Sequence, residues 1–149
     1  MRAVVQRVTR AEVKVDGNVT GKIDKGLLVF VGVAPEDTDK DMEYIAEKII
    51  NLRIFEDEND KMNLSVTDVE GSLLVISQFT LFGDCRKGRR PNFTGSCEPV
   101  KAKKMYLEML EYLKNKGIKT ESGIFGADMK VDLLNDGPVT LLLDSSKLF

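Results

Sequence analysis

No histidine occurs among the 149 residues, which excludes a Ser-His-Asp triad, a Cys-His pair and every histidine-ligated metal site. Tryptophan is missing too. With only three Tyr and seven Phe, most of them inside apolar runs, few platforms for stacking nucleobases are expected. The two cysteines, Cys85 and Cys97, are too few for a four-ligand zinc site and form no CxxC pair, so reduced thiols in a cytoplasmic protein are expected. No motif calls for a metal or a cofactor. The opening Met1-Arg2-Ala3-Val4-Val5-Gln6-Arg7 interrupts its apolar run with charge, unlike a signal peptide or a membrane anchor.

What is present suits one domain spanning residues 1–149, because 42% hydrophobic content over this length can bury a core. Charge is nearly balanced, at -2, but unevenly placed. Between Asp84 and Lys104 seven cations face two anions, a local +5 that leaves -7 for the remainder. Such a chain is not a generally basic nucleic-acid binder. One positive face would orient a polyanion while the rest repels it.

The pattern of elements is α+β. Alternation over residues 3–8 and 11–15 predicts strands, and Asp16-Gly17-Asn18 predicts a hairpin turn into a strand over 19–23. The run 26–33 reads as a central strand buried on both faces. Thr38 is placed to cap a helix whose inner face is Met42, Ile45, Ala46, Ile49 and Ile50. Shorter strands follow over 52–55 and 62–66, then a long apolar one over 72–82. Glu98-Pro99 opens a second helix that Gly117 stops. Its early lysines Lys101, Lys103 and Lys104 sit badly with the helix dipole; singly each reads as an ordinary solvated lysine, and together they suit an anion nearby. Strands over 118–121, 129–134 and 139–144 complete the chain, the last two split by the turn Asn135-Asp136-Gly137-Pro138. About nine short strands and two main helices imply a largely antiparallel, barrel-like sheet.

Two segments carry candidate chemistry. Ser77-Gln78-Phe79-Thr80 stands at the polar end of the apolar run Leu73-Leu74-Val75-Ile76, next to the loop Arg86-Lys87-Gly88-Arg89-Arg90-Pro91. Read plainly, that is a buried strand followed by a solvated loop; read functionally, it is a rigid mount for polar groups beside a grip for a polyanion. Asn135-Asp136-Gly137-Pro138 is by itself an ordinary turn. Yet Pro138 has no amide hydrogen and Gly137 no side chain, so together they can present bare carbonyls to a ligand, aimed the same way if the bond is cis.

Ser77-Gln78-Phe79-Thr80-Leu81, the loop Lys87-Gly88-Arg89-Arg90-Pro91 with Phe93, Gly126-Ala127-Met129 and Asn135-Asp136-Gly137-Pro138-Val139-Thr140 together resemble the D-aminoacyl-tRNA deacylases, also called D-Tyr-tRNA(Tyr) deacylases. The resemblance runs the length of the chain. It implies hydrolysis of the ester between a D-amino acid, or glycine mischarged on tRNA(Ala), and the terminal adenosine of tRNA, sparing the L form. It also implies a homodimer in which a cis Gly137-Pro138 pair enters the partner's active site, holds the substrate ammonium with carbonyls and leaves no room for an L side chain. Arg7 would brace that pair, and Met129 would line the substrate site.

Catalysis would then fall to backbone amides around Phe79 and Thr80 as oxyanion donors, with Ser77 and Gln78 positioning substrate and the RNA 2′-hydroxyl assisting. Thr80 as a covalent nucleophile is the alternative, although it would need a base. Arg86, Lys87, Arg89 and Arg90 would take acceptor-stem phosphates. A non-catalytic RNA-binding module and a synthetase-type editing domain are the competing classes.

Overall fold

The computed structural model describes residues 1–149. A 14-residue strand, β1 (Arg2–Val15), is the spine of the sheet. Along one side its first half pairs antiparallel with β3 (Gly26–Gly32) and its second half with β2 (Asn18–Ile23). Along the other it pairs antiparallel with the 15-residue β8 (Lys130–Asp144). Beyond β3 the sheet continues in parallel through β6 (Ser72–Ser77) to β7 (Thr120–Ser122). The sheet is thus mixed, with its antiparallel pairings centred on β1. It curls until its ends nearly meet: a Cβ added at Gly21 of β2 would stand 2.6 Å from the Ser122 carbonyl oxygen of β7.

Strand alternation divides the core in two. Val5, Leu27, Val29, Leu73 and Val75 face the helices, whereas Val8, Val13, Leu28, Leu74 and Ile76 face the inside of the curled sheet. Both faces of β3 and β6 are therefore buried, which is why their sequences run apolar without alternation. Each fully buried aliphatic side chain contributes about 1.5 to 3 kcal/mol. Helix α1 (Asp39–Asn51) begins where Asp41 accepts bonds from both the N–H and the hydroxyl of Thr38, at 2.8 and 2.9 Å. Helix α2 (Pro99–Asn115) starts with the Glu98 carboxylate accepting from Val100 and Lys101 N–H groups, and ends before Gly117 at φ +82°. The helices are clasped by Glu47, which accepts from the Tyr112 hydroxyl at 2.7 Å and pairs with Lys116 at 2.8 Å. A small hairpin of β4 (Phe55–Glu56) and β5 (Met62–Leu64) stands apart from the main sheet.

Three sequence expectations are corrected. The strands expected over 3–8 and 11–15 are one strand, with irregular register against β8 near Val8 where Arg7 and Val8 are both buried. The turn expected at Asn135–Pro138 does not reverse the chain. Residues 130–135 and 140–144 both pair with β1, and the intervening stretch is a wide bulge opposite Arg7, tied by Asn135 Nδ2 to the carbonyls of Arg7 and Val139 at 2.9 Å each. The strand expected over 72–82 stops at Ser77. Phe79–Phe82 coils into a 3₁₀ turn, closed by Leu81 N–H on the Gln78 carbonyl and Gly83 N–H on that of Thr80.

Candidate active site

Ser77 is the last residue of β6, in register with Val31, and Gln78 N–H donates to the Val31 carbonyl at 2.7 Å. Glycine at 32 allows this approach, since a Cβ there would lie 2.9 Å from the Gln78 carbonyl oxygen. The 3₁₀ turn that follows is stapled from the start of β1, two strands away at the same end of the sheet. Arg2 Nη1 donates to the Leu81 carbonyl at 3.1 Å, its guanidinium lies 4.6 Å over the Phe82 ring, and its Nε meets Asp144 at 3.0 Å. Burial alone would raise the Asp144 carboxyl, but bonds from Ser146 and Arg2 outweigh it and hold the group below the usual carboxylate range.

At this joint opens a cavity of about 540 Å³. Ser77, Gln78 and Phe79 form one wall, Cys97, Ala102 and Tyr106 of the α2 region another, and the loop from Phe125 to Met129 a third. Its surface is mostly apolar, and the phenol and the thiol within it are held neutral. Burial pushes the Tyr106 phenol up to about 12 while its hydroxyl donates to the Val75 carbonyl at 2.7 Å, and burial also raises the Cys97 thiol. Asp128, at the margin, is solvent-exposed and paired with Lys130 at 3.0 Å. What remains is polar but not basic: the Gln78 amide, the serine hydroxyls and main chain. Gln78 Nε2 donates to the Thr80 hydroxyl, and Thr80 itself is exposed and outside the lining. The N–H groups of Phe79 and Thr80 have no acceptor within the chain, as the first residues of the 3₁₀ turn must.

Of the expected site residues, Ser77, Gln78, Phe79 and Met129 are brought together around this cavity, with Thr80 one bond away. Gly137, Pro138 and Arg7 are not. The Gly137–Pro138 bond is cis, both residues are exposed on β8, and neither lines the cavity of its own chain. Buried Arg7 grips the residue before them: its Nε donates to the Asp136 carbonyl at 3.2 Å, its Nη1 to the Ile54 carbonyl at 2.7 Å, and it pairs with Asp136 and Glu56 at 3.4 and 3.7 Å.

The basic loop also stays outside the lining, closed at its neck by a bridge between Asp84 and Asn92. Within it Arg86 is already engaged, donating to both oxygens of Asp84, which drops that carboxyl to about 2. Lys87, Arg89 and Arg90 are exposed and form no ion pair. The early lysines of α2 are partly spoken for as well: Lys101 reaches the Pro35 carbonyl at 2.5 Å and Lys104 pairs with Glu108 at 2.7 Å. Sequence reasoning missed Arg2, whose charge looked only like an interruption of an apolar run, and named Phe93 without a role, although its ring meets Phe79 at the rim.

The fold and site are those of a single-domain curled mixed sheet with two helices and a mostly apolar cavity, edged by Ser77 and Gln78, at a strand end. Residues 4–144 match the family model described as D-Tyr-tRNA(Tyr) deacylase, and the chain belongs to that family. It is 61% identical over 149 residues, the whole of both chains, to the D-aminoacyl-tRNA deacylase of Halothermothrix orenii. A solved structure of a c-Myc DNA unwinding element binding protein superposes with a TM-score of 0.91 at 43% identity, covering 97% of this chain and 98% of that one. The fold is shared with a "probable eukaryotic D-amino acid tRNA deacylase", at a TM-score of 0.83 and 16% identity over 95% of this chain and 97% of that one. No helix is long and apolar enough to cross a membrane.

Proposed function

We propose that this chain is a cytoplasmic hydrolase, one domain over residues 1–149, that cleaves the ester joining a D-amino acid to the terminal adenosine of tRNA, and that it also clears glycine mischarged on tRNA(Ala). The observation that carries the reading is the pair of unengaged N–H groups at Phe79 and Thr80 beside a cavity whose one carboxylate, Asp128, is solvent-exposed and paired with Lys130. An aminoacyl ester is already labile. Donors fixed where the tetrahedral oxyanion develops are worth about 3 to 4 kcal/mol each, enough to carry catalysis when no proton acceptor is at hand. Gln78 and Ser77 orient the ester, Met129 lines the substrate space, and the neighbouring 2′-hydroxyl of the RNA assists proton movement.

Chirality is judged by main chain. In this reading two copies associate, and Gly137-Pro138 of each enters the cavity of the other. There the pair's carbonyls hold the substrate ammonium, and the D-face is the only side left open. Supporting this, the pair is exposed and outside its own cavity, while β8 pairs only with β1, which leaves its outer edge free between exposed Leu134 and Leu142. Arg7 fixes the carbonyl of Asp136 and so the approach of the pair. Lys87, Arg89 and Arg90, with Arg86 behind them, take backbone phosphates.

Matched D- and L-aminoacyl-tRNAs incubated with the purified protein test the proposal. Release from the D form and sparing of the L form is the expected result; cleavage of neither leaves only an RNA-binding module, and cleavage of both refutes chiral selection.

A further inference from the structure

Two aromatic rings stand in solvent where the cavity meets the basic loop. Phe79, on the cavity rim, is 57% exposed and Phe93 is 37% exposed. Their centroids are 5.2 Å apart with the planes inclined at 69°, an edge-to-face contact that braces the rings without enclosing them. The backbone holds Phe93 in place from several sides. Asp84 and Asn92 exchange main-chain bonds of 2.7 and 2.9 Å at the loop neck, Asn92 Oδ1 accepts from Thr94 N–H, and the Ser96 hydroxyl donates to the Phe93 carbonyl. Beneath the ring lies Gly83, where a Cβ would come within 3.0 Å of Phe93 Cε1. Exposed rings add little to folding, so a scaffold this specific points to a use outside the core.

The loop that closes at Asn92, one residue before Phe93, carries Lys87, Arg89 and Arg90, exposed and without carboxylate partners. A flat apolar face next to unneutralised cations is the pairing that single-stranded nucleic acid requires, one for the base and the other for the phosphate. We propose that Phe79 and Phe93 form a stacking step for the base preceding the terminal adenosine in the unpaired 3′ end of tRNA, with the three cations on the adjoining phosphates. The inference rests on the reading that the cavity receives the terminal aminoacyl-adenosine: the next nucleotide leaves over the rim that Phe79 occupies.

The test is a fluorescence titration of the full chain with a single-stranded RNA ending in CCA, carrying no amino acid and bearing 2-aminopurine at the penultimate position. Binding should quench the probe, Phe93→Leu should weaken binding about tenfold with loss of the quench, and Phe93→Tyr should restore both. Leucine keeps an apolar side chain of similar bulk, and circular dichroism checks that the fold is retained. With substrates, Phe93→Leu should raise the KM for D-aminoacyl-tRNA about tenfold relative to that for the D-aminoacyl ester of adenosine alone. An unquenched probe, wild-type affinity in Phe93→Leu, or an equal KM rise for both substrates overturns the proposal. If the wild-type protein cleaves no D-aminoacyl-tRNA, the hydrolase reading fails, and the RNA titration still decides the stacking step separately.

Discussion

Replacing Arg7 with methionine preserves much of its apolar stem and removes the guanidinium that joins three parts of the fold. Its Nη1 serves the buried Ile54 carbonyl and its Nε the Asp136 carbonyl. Leaving each acceptor without its donor costs about 1 to 3 kcal/mol, so the expected loss is about 2 to 6 kcal/mol. The contacts to Glu56 and Asp136 add little, because both carboxylates are about half exposed and screened by solvent. For a chain of this length each kcal/mol shifts Tm by about 2 to 4 °C, which places the Arg7→Met midpoint about 4 to 24 °C below wild type. Calorimetry and urea denaturation measure this directly. Arg7→Lys should fall between, since an ammonium reaches one of the two carbonyls but lacks the planar fork that reaches both. Assayed well below the lowered midpoint, kcat/KM for D-aminoacyl-tRNA should still drop, because the Asp136–Gly137 segment has lost its brace. A midpoint within about 2 °C of wild type together with full activity would refute the reasoning.

Thr80→Ala should keep activity within about tenfold of wild type, as loss of one hydroxyl that accepts from Gln78 is worth about 0.5 to 1.5 kcal/mol; near-total loss in a folded variant would instead make Thr80 the nucleophile. Reversing Arg89 and Arg90 to glutamate should raise KM more than it lowers kcat and flatten the salt dependence of KM, whereas Arg86→Ala should do less because Asp84 already holds that charge. The Asp84 carboxyl is depressed in the folded chain, so the stabilisation from its bonds with Arg86 is complete above the ordinary value of 3.8 and lost as pH falls through about 2. An NMR titration of Asp84 with a midpoint near 4 would contradict this. Gly137→Ala should disable hydrolysis and loosen the fold, because at φ +120° a Cβ meets Arg7 Nη2 at 2.8 Å and Val139 Cγ2 at 2.9 Å; unchanged calorimetry and activity would rule it out.

Local signals served well where local physics decides. Thr38, Glu98-Pro99 and Gly117 marked the helix ends because capping is settled within one turn of chain. The apolar runs of β3 and β6 announced burial on both faces. The bulge in β8 was illegible for the opposite reason: Asn-Asp-Gly-Pro has the same local chemistry in a hairpin and in a bulge, and only pairing with β1, more than a hundred residues away, distinguishes them. Phe79-Thr80-Leu81-Phe82 suits a strand by propensity, yet it turns because β6 has run out of partner beyond Val31. That Ser77 and Gln78 stand at a strand end was readable, and a cis Gly137–Pro138 bond was among the expectations. That Arg86 is neutralised within its own loop, and that Phe93 faces solvent, depends on side-chain geometry that spacing does not encode.

The neutrality of Cys97 and Tyr106 reaches beyond the cavity itself. A thiol and a phenol that stay protonated through the working range add no bell-shaped profile to a reaction beside them. In the proposed reading, the acidity recorded with this protein belongs to the ammonium of the incoming molecule, and electrophiles that hunt for thiolates meet a protonated Cys97 in the cavity.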